Sequence, residues 1–375
     1  MKAGLVFSAC MLFLCACAPA GSSGVPPALT TLPAPPATQE PSQLPLSEPG
    51  PYLAGLRRNV EFVDAGREDR KVTLTVWYPA AAPDGTEPWT EPKADVPPDA
   101  TGAPYPLILT ATKLGFFFAP HLASHGFVVA GINGQDSSMN WGPWLTDHPR
   151  DLVFALDQIA AQGVPDLEGM IDAGHAGAMG YSFGSPTALF LGGARVDPDN
   201  YLQKCANAPS MTPALEEWWI DYNCNLLGGW EAFVANAGPA ASGGEGGLWA
   251  PITDDRIRAV IPMAPEGDWL FGERGLQAVD RPTLIFGATQ DTVNPYALEA
   301  IPIYEKLNPS QRAMISFVGE GHMMLDNAGR LAQMEHFAAA FFGLHLRGDQ
   351  GLADYLSQDF VEKYPDLAWG VYTAE

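Results

Sequence analysis

The stretch IDAGHAGAMGYSFGSPTALFLGGA, residues 171–194, decides how the rest of the chain is read. Its 175–179 segment is a run of small and apolar residues, the pattern of a strand covered on both faces. Gly180-Tyr181-Ser182-Phe183-Gly184 follows, and an Ala/Leu-rich helical segment comes directly after. A serine placed between such a strand and such a helix sits on a turn too tight for larger flanking residues. Glycine two positions away on each side removes the clash and leaves the hydroxyl exposed above the sheet. The bare G-x-S-x-G pattern is common by chance. Its context makes Ser182 a candidate nucleophile rather than a helix cap.

A serine hydroxyl is a weak nucleophile at neutral pH. It needs a histidine to take its proton and an acid to hold that histidine in place. On a strand–turn–helix of this kind, the acid and the histidine follow the serine in the chain, each after a strand. The apolar segment 284–287 runs into Ala288-Thr289-Gln290-Asp291, and 315–318 runs into Gly319-Glu320-Gly321-His322. Both candidates therefore sit at carboxyl ends of strands, where parallel sheets carry their sites. Asp291 could alternatively cap the helix beginning near Pro295. Glu266 and Asp268, after the preceding strand, remain open as the acid. His121 and His125 share a helix face but lack the glutamate of a zinc-protease motif. His148, His175, His336 and His345 do not follow a strand in the required order. A tetrahedral oxyanion needs two backbone donors. The Phe183 amide is one candidate; the Leu114 amide, after the early strand 105–111, is the other.

Around this constellation, strand and helix patterns alternate. Segments 57–63 and 71–78 read as an antiparallel hairpin at a sheet edge, followed by a Pro-rich loop over 79–104. Further strands are expected at 105–111, 127–133, 257–264, 283–287 and 313–318. Helices are expected at 116–125, 150–162, 296–307 and 327–346. Such alternation implies a mainly parallel sheet with helices on both faces. The alternation breaks over about 196–255, too long for an ordinary connection. This insertion carries Trp218, Trp219, Trp230 and Trp249 and is expected to form a cap over the cleft. Its tryptophans either line an apolar acyl or aromatic pocket or pack the cap's own core.

The chain has 375 residues and a net charge of −23, which argues against a nucleic-acid partner because phosphates need a basic footprint. Lys2, an apolar run over 5–14 and small residues beyond it describe an export signal, residues 1–16, too short to span a membrane. Leu14-Cys15-Ala16-Cys17 resembles a bacterial lipobox, with Cys17 as the acylated first residue of the mature chain. Cleavage after Ala20, releasing a soluble protein, is the alternative. Residues 17–51, rich in Pro, Ala, Ser and Thr, are expected to be a disordered tether. In an exported compartment Cys205 and Cys224 are expected to pair. The expected domain spans 52–347, with 348–375 as an extension.

Val76-Trp77-Tyr78-Pro79, Pro106-Leu107-Ile108-Leu109, Ala123-Ser124-His125-Gly126-Phe127 and Asp255-Arg256-Ile257-Arg258-Ala259-Val260 complete a pattern with Gly180–Gly184 and Gly321-His322. Together they resemble bacterial α/β-hydrolases related to platelet-activating-factor acetylhydrolase, a group often called predicted dienelactone hydrolases. The resemblance runs over about 50–346. It implies an α/β-hydrolase fold and an esterase with Ser182, Asp291 and His322 as its triad, Leu114 and Phe183 as oxyanion donors, and no metal or organic cofactor. The expected substrate is a small-molecule or lipid ester, met at the bacterial envelope through the lipid anchor. Acyl transfer, amide cleavage and non-catalytic binding are the rival functions. The chain departs from the group at Thr112-Lys113, where His-Gly is usual, and at Ser185, where a glycine is usual. The vertebrate acetylhydrolases place their acid after the earlier strand, which keeps Glu266 and Asp268 open.

Overall fold

The computed structural model describes residues 44–83, 89–111, 113–133, 141–211 and 214–373. The expected signal, Cys17 and most of the expected tether lie outside the described residues. The described residues form one compact unit.

Among the described residues, the strands form one sheet. In chain order they are β1 (Leu53–Asp64), β2 (Arg70–Ala80), β3 (Lys93–Ala94), β4 (Tyr105–Thr110) and β5 (Val128–Ile132). Then come β6 (Ile171–Tyr181), β7 (Ile257–Met263), β8 (Thr283–Ala288), β9 (Arg312–Phe317) and β10 (Leu367–Trp369). Their spatial order is β10-β9-β8-β7-β6-β4-β5-β2-β1-β3. Strands β4 to β9 run parallel. β1 and β2 pair as the expected antiparallel hairpin, and β2 lies antiparallel to β5. This is an α/β-hydrolase fold.

Every residue of β4, β5 and β8 is buried, as helices on both faces require. Successive side chains point to opposite faces. Ile108 and Met179 therefore join Leu122 of α1 (Ala119–Ser124) and Phe337 of the long closing helix Ala328–Arg347. Leu107, Leu109, Ala176 and Ala178 face the other way, onto Leu152 and Leu156 of α2 (Trp144–Gln162). Helix α3 (Ser185–Leu191) follows β6 directly. The insertion holds α4 (Pro198–Asn207), α5 (Glu217–Cys224), α6 (Trp230–Ala237) and α7 (Pro239–Ser242). The remaining helices are α8 (Asp268–Gln277), α9 (Ala300–Lys306), α10 (Ala328–Arg347) and α11 (Gln358–Val361).

The structure corrects several boundaries. The expected tether fails over 44–51, because Leu44 is buried in the core and Leu46 packs against it. The Leu46 amide donates to His336 Nδ1, and its carbonyl accepts from His121 Nε2, each at 2.9 Å. Farther along, the Gly50 amide donates to Ser124 Oγ at 2.8 Å. At the other end, 348–375 is part of the domain rather than an extension. β10 pairs antiparallel with β9, and Val361, Tyr364 and Leu367 enter the core. The helix expected over 116–125 divides into a 3-10 turn, Lys113–Phe117, and α1. Helix α8 was not anticipated, since a kink at Gly272 interrupts its periodicity.

The contact that seats 44–51 has a pH signature. Burial pushes His121 down to about 3 and His336 to about 4, while it raises Glu335, 3.7 Å from His121, to about 8. All three are therefore neutral at pH 7. The neutral histidines contribute stability that is present above their ordinary 6.5 and lost as pH falls. The protonated glutamate contributes stability that is full below its ordinary 4.5 and lost as pH rises toward 8. Glu335→Gln stays neutral at every pH and is expected to flatten the decline in urea-unfolding stability between about pH 5 and pH 8. An unchanged slope would place the titration elsewhere.

Candidate active site

The turn Ser182–Gly184 joins β6 to α3. Ser182 has φ of +51°, a left-handed backbone that a non-glycine residue adopts at a cost. A Cβ on Gly180 would lie 1.9 Å from the carbonyl oxygen of Gly184, so only glycine lets this turn close. Ser182 is only 6% exposed, and the hydroxyl meets another side chain rather than bulk water.

That side chain is His322, in the turn after β9. Its Nε2 lies 2.9 Å from Ser182 Oγ, and its Nδ1 lies 2.8 Å from Oδ2 of Asp291, in the loop after β8. Oδ1 of Asp291 accepts the backbone amides of Val293 and Asn294, both at 2.8 Å. One carboxylate oxygen is thus committed to the loop and the other to the imidazole. Asn294 in turn donates its side-chain amide to the Ala264 carbonyl at 2.9 Å, tying the loop to the end of β7. From below, the Tyr181 hydroxyl donates to the His322 carbonyl. Nδ1–H donated to a carboxylate leaves the Nε2 lone pair facing the serine hydroxyl, the tautomer a general base needs.

The structure brings Ser182, Asp291 and His322 together; neither alternative acid is hydrogen-bonded to the histidine. The Glu266 carboxyl accepts from the Tyr222 hydroxyl, and Asp268 faces Lys306. The 3-10 turn Lys113–Phe117, with Leu114 in it, neighbours the Ser182–Gly184 turn. A Cβ on Gly115 would meet Thr110 Oγ1 at 2.0 Å, so glycine is needed there for the turn to approach the sheet. The remaining histidines have local roles. His125 Nε2 lies 3.0 Å from the Glu48 carbonyl, and His175 Nδ1 lies 2.8 Å from Asp172. His148 is buried in α2, and His345 lies on α10. Among the described residues, no three His, Cys, Asp or Glu side chains are grouped to hold a metal ion.

A disulfide between Cys205 and Cys224 joins α4 to α5 within the insertion. Of the two expected roles, packing within the insertion is the one seen for Trp230 and Trp249. Trp230 stacks on Tyr201 at 5.2 Å, and Trp249 stacks on Phe233 at 5.2 Å, inside the insertion's own core. Trp219 stacks on Tyr222 at 6.0 Å, whose ring lies 6.5 Å from Phe183 beside the serine. Trp218 is 48% exposed. Sequence reasoning missed Tyr222 and Trp141, whose indole N–H donates to the Tyr222 hydroxyl at 3.2 Å. The available signal was slight: Tyr222 stands three residues after Trp219 on the same helix face.

A family model described as PET hydrolase-like matches residues 233–362. That span takes in Asp291 and His322 and stops short of Ser182. With the fold, it supports a carboxylic-ester hydrolase of the α/β-hydrolase type. No curated protein matches the chain.

Proposed function

We propose that this chain is a serine hydrolase of carboxylic esters that works through an acyl-enzyme. Ser182 attacks the ester carbonyl while His322 takes its proton, and the same imidazole then protonates the departing alcohol. Water, deprotonated by His322, next attacks the acyl-serine and releases the acid. Asp291 holds the imidazole and stabilises the imidazolium formed in each half. The Leu114 and Phe183 amides are the proposed donors to the oxyanion. The observation that carries this reading is the hydrogen-bonded chain Asp291–His322–Ser182 ending on a strained turn. The chemistry needs no cofactor.

The sequence that precedes residue 44 supports export and lipid attachment at Cys17, with a spacer holding the domain off the bacterial envelope. Small-molecule or lipid esters near that surface are the proposed substrates. The PET hydrolase-like match adds aromatic polyesters to the substrates worth assaying.

A fluorophosphonate probe is expected to label the folded protein covalently, and labelling is expected to vanish in Ser182→Ala. A well-folded wild type that takes no label would point to a non-catalytic binding protein. Labelling without turnover of p-nitrophenyl esters would point to acyl transfer or amide cleavage on the same residues.

A further inference from the structure

Glu266 is fully buried beside the serine–histidine pair, yet it takes no part in their hydrogen-bonded chain. His322 and Asp291 are both close enough to act on its charge. Its backbone amide donates to Ser185 Oγ at 3.0 Å, which ties it to the first residue of α3. Its Oε2 accepts the Tyr222 hydroxyl, while Oε1 has no hydrogen bond among the described residues. A buried carboxyl with an unpartnered oxygen costs stability that an apolar side chain of similar volume would not. Its local effect is to fix one ring. Tyr222 comes from α5 in the insertion, and its hydroxyl is held from two sides, by Glu266 and by the Trp141 indole. That places its ring 6.5 Å from Phe183 and 6.0 Å from Trp141.

Resting on the reading of Ser182 as an esterase nucleophile, we propose that Glu266 is a positioning residue. It pins Tyr222 against Phe183, and the pinned ring limits the size of the acyl group the enzyme accepts. The acyl group is the part of the ester that becomes bonded to Ser182, and its carbonyl oxygen turns toward the Phe183 amide. The Tyr222 ring lies 6.5 Å from the ring of Phe183, the residue that carries this amide, and is the proposed wall on the acyl side. The disulfide to α4 and the Trp219 stack hold the helix that carries Tyr222, and the hydroxyl bond sets the ring. Burial pushes the Glu266 carboxyl up to about 7, so an amide in its place closely resembles its protonated form and still offers an oxygen to Tyr222.

The test compares kcat/KM for p-nitrophenyl octanoate with that for p-nitrophenyl acetate, with fluorophosphonate labelling of each full-length protein in parallel. In Glu266→Ala and in Tyr222→Phe the octanoate-to-acetate ratio is expected to rise about tenfold. In Glu266→Gln it is expected to stay within about twofold of wild type. A merely structural carboxyl would not show this rescue by the amide. The proposal is overturned if Glu266→Ala and Tyr222→Phe leave the ratio unmoved while labelling persists. It is equally overturned if Glu266→Gln shifts the ratio as far as Glu266→Ala. Should Glu266→Ala fail to fold, Tyr222→Phe and Glu266→Gln decide the matter between them. A wild type that neither labels nor hydrolyses either ester overturns the esterase reading as well.

Discussion

Asp291→Asn is expected to lower kcat/KM for a simple ester by about 10⁴-fold while leaving the fold intact. The size of the effect follows from which way the new amide must face. Oδ1 of Asp291 accepts two backbone N–H groups, from Val293 and Asn294, and only an oxygen can do that. The asparagine must therefore give its oxygen to the loop and present its NH2 to His322. An NH2 donor facing Nδ1 forces the proton onto Nε2, and an Nε2 carrying a proton cannot accept one from Ser182. The imidazolium formed on attack also loses its carboxylate. Glu266 gives no relief, because it does not hydrogen-bond His322 and its Oε2 holds Tyr222 of the insertion. The measurement is steady-state hydrolysis of p-nitrophenyl acetate by Asp291→Asn and Glu266→Gln side by side. If the asparagine variant stays within about tenfold of wild type and the glutamine variant loses about 10⁴, the acid is Glu266 and the assignment is reversed.

That comparison also shows where sequence reasoning reached and where it stopped. That Ser182, Asp291 and His322 would meet was legible because each position depends on local chemistry: a glycine-flanked turn or a polar loop at the end of an apolar strand. Their convergence follows from parallel strands that all end on the same rim of the sheet. What could not be read were features set by contacts between distant segments. Leu44 and Leu46 stand in a Pro- and Ser-rich stretch whose average composition describes disorder, yet two leucines and a few backbone hydrogen bonds seat it on α1 and α10. Similarly, β10 is three residues long, too short for any period to show, and exists because β9 offers it an open edge. The choice between Asp291 and Glu266 was open for a related reason. Both follow strands that end near the site, and what tells them apart is their hydrogen bonds, Asp291 to His322 and Glu266 to the Tyr222 hydroxyl arriving from the insertion.

The second large effect belongs to a residue with no functional group. Gly180→Ala is expected to reduce ester hydrolysis and fluorophosphonate labelling by on the order of 10²-fold or more, even where folded protein can be recovered. The added methyl carbon would stand 1.9 Å from the Gly184 carbonyl oxygen, and both partners are main chain, so no rotamer change relieves the contact. The β6–α3 turn has to open instead. Ser182 already holds a strained φ of +51°, and it is the residue whose backbone has most to gain by relaxing when the turn opens. A shift of about 1 Å there is enough to break the 2.9 Å contact with His322 and to move Phe183 away from the oxyanion position. Gly228→Ala supplies the control, since a Cβ at that exposed position meets nothing within 4 Å. It is expected to leave both readouts near wild type. A Gly180→Ala protein that labels at the wild-type rate would mean the turn can open without moving Ser182, and the strained geometry would lose its place in the mechanism.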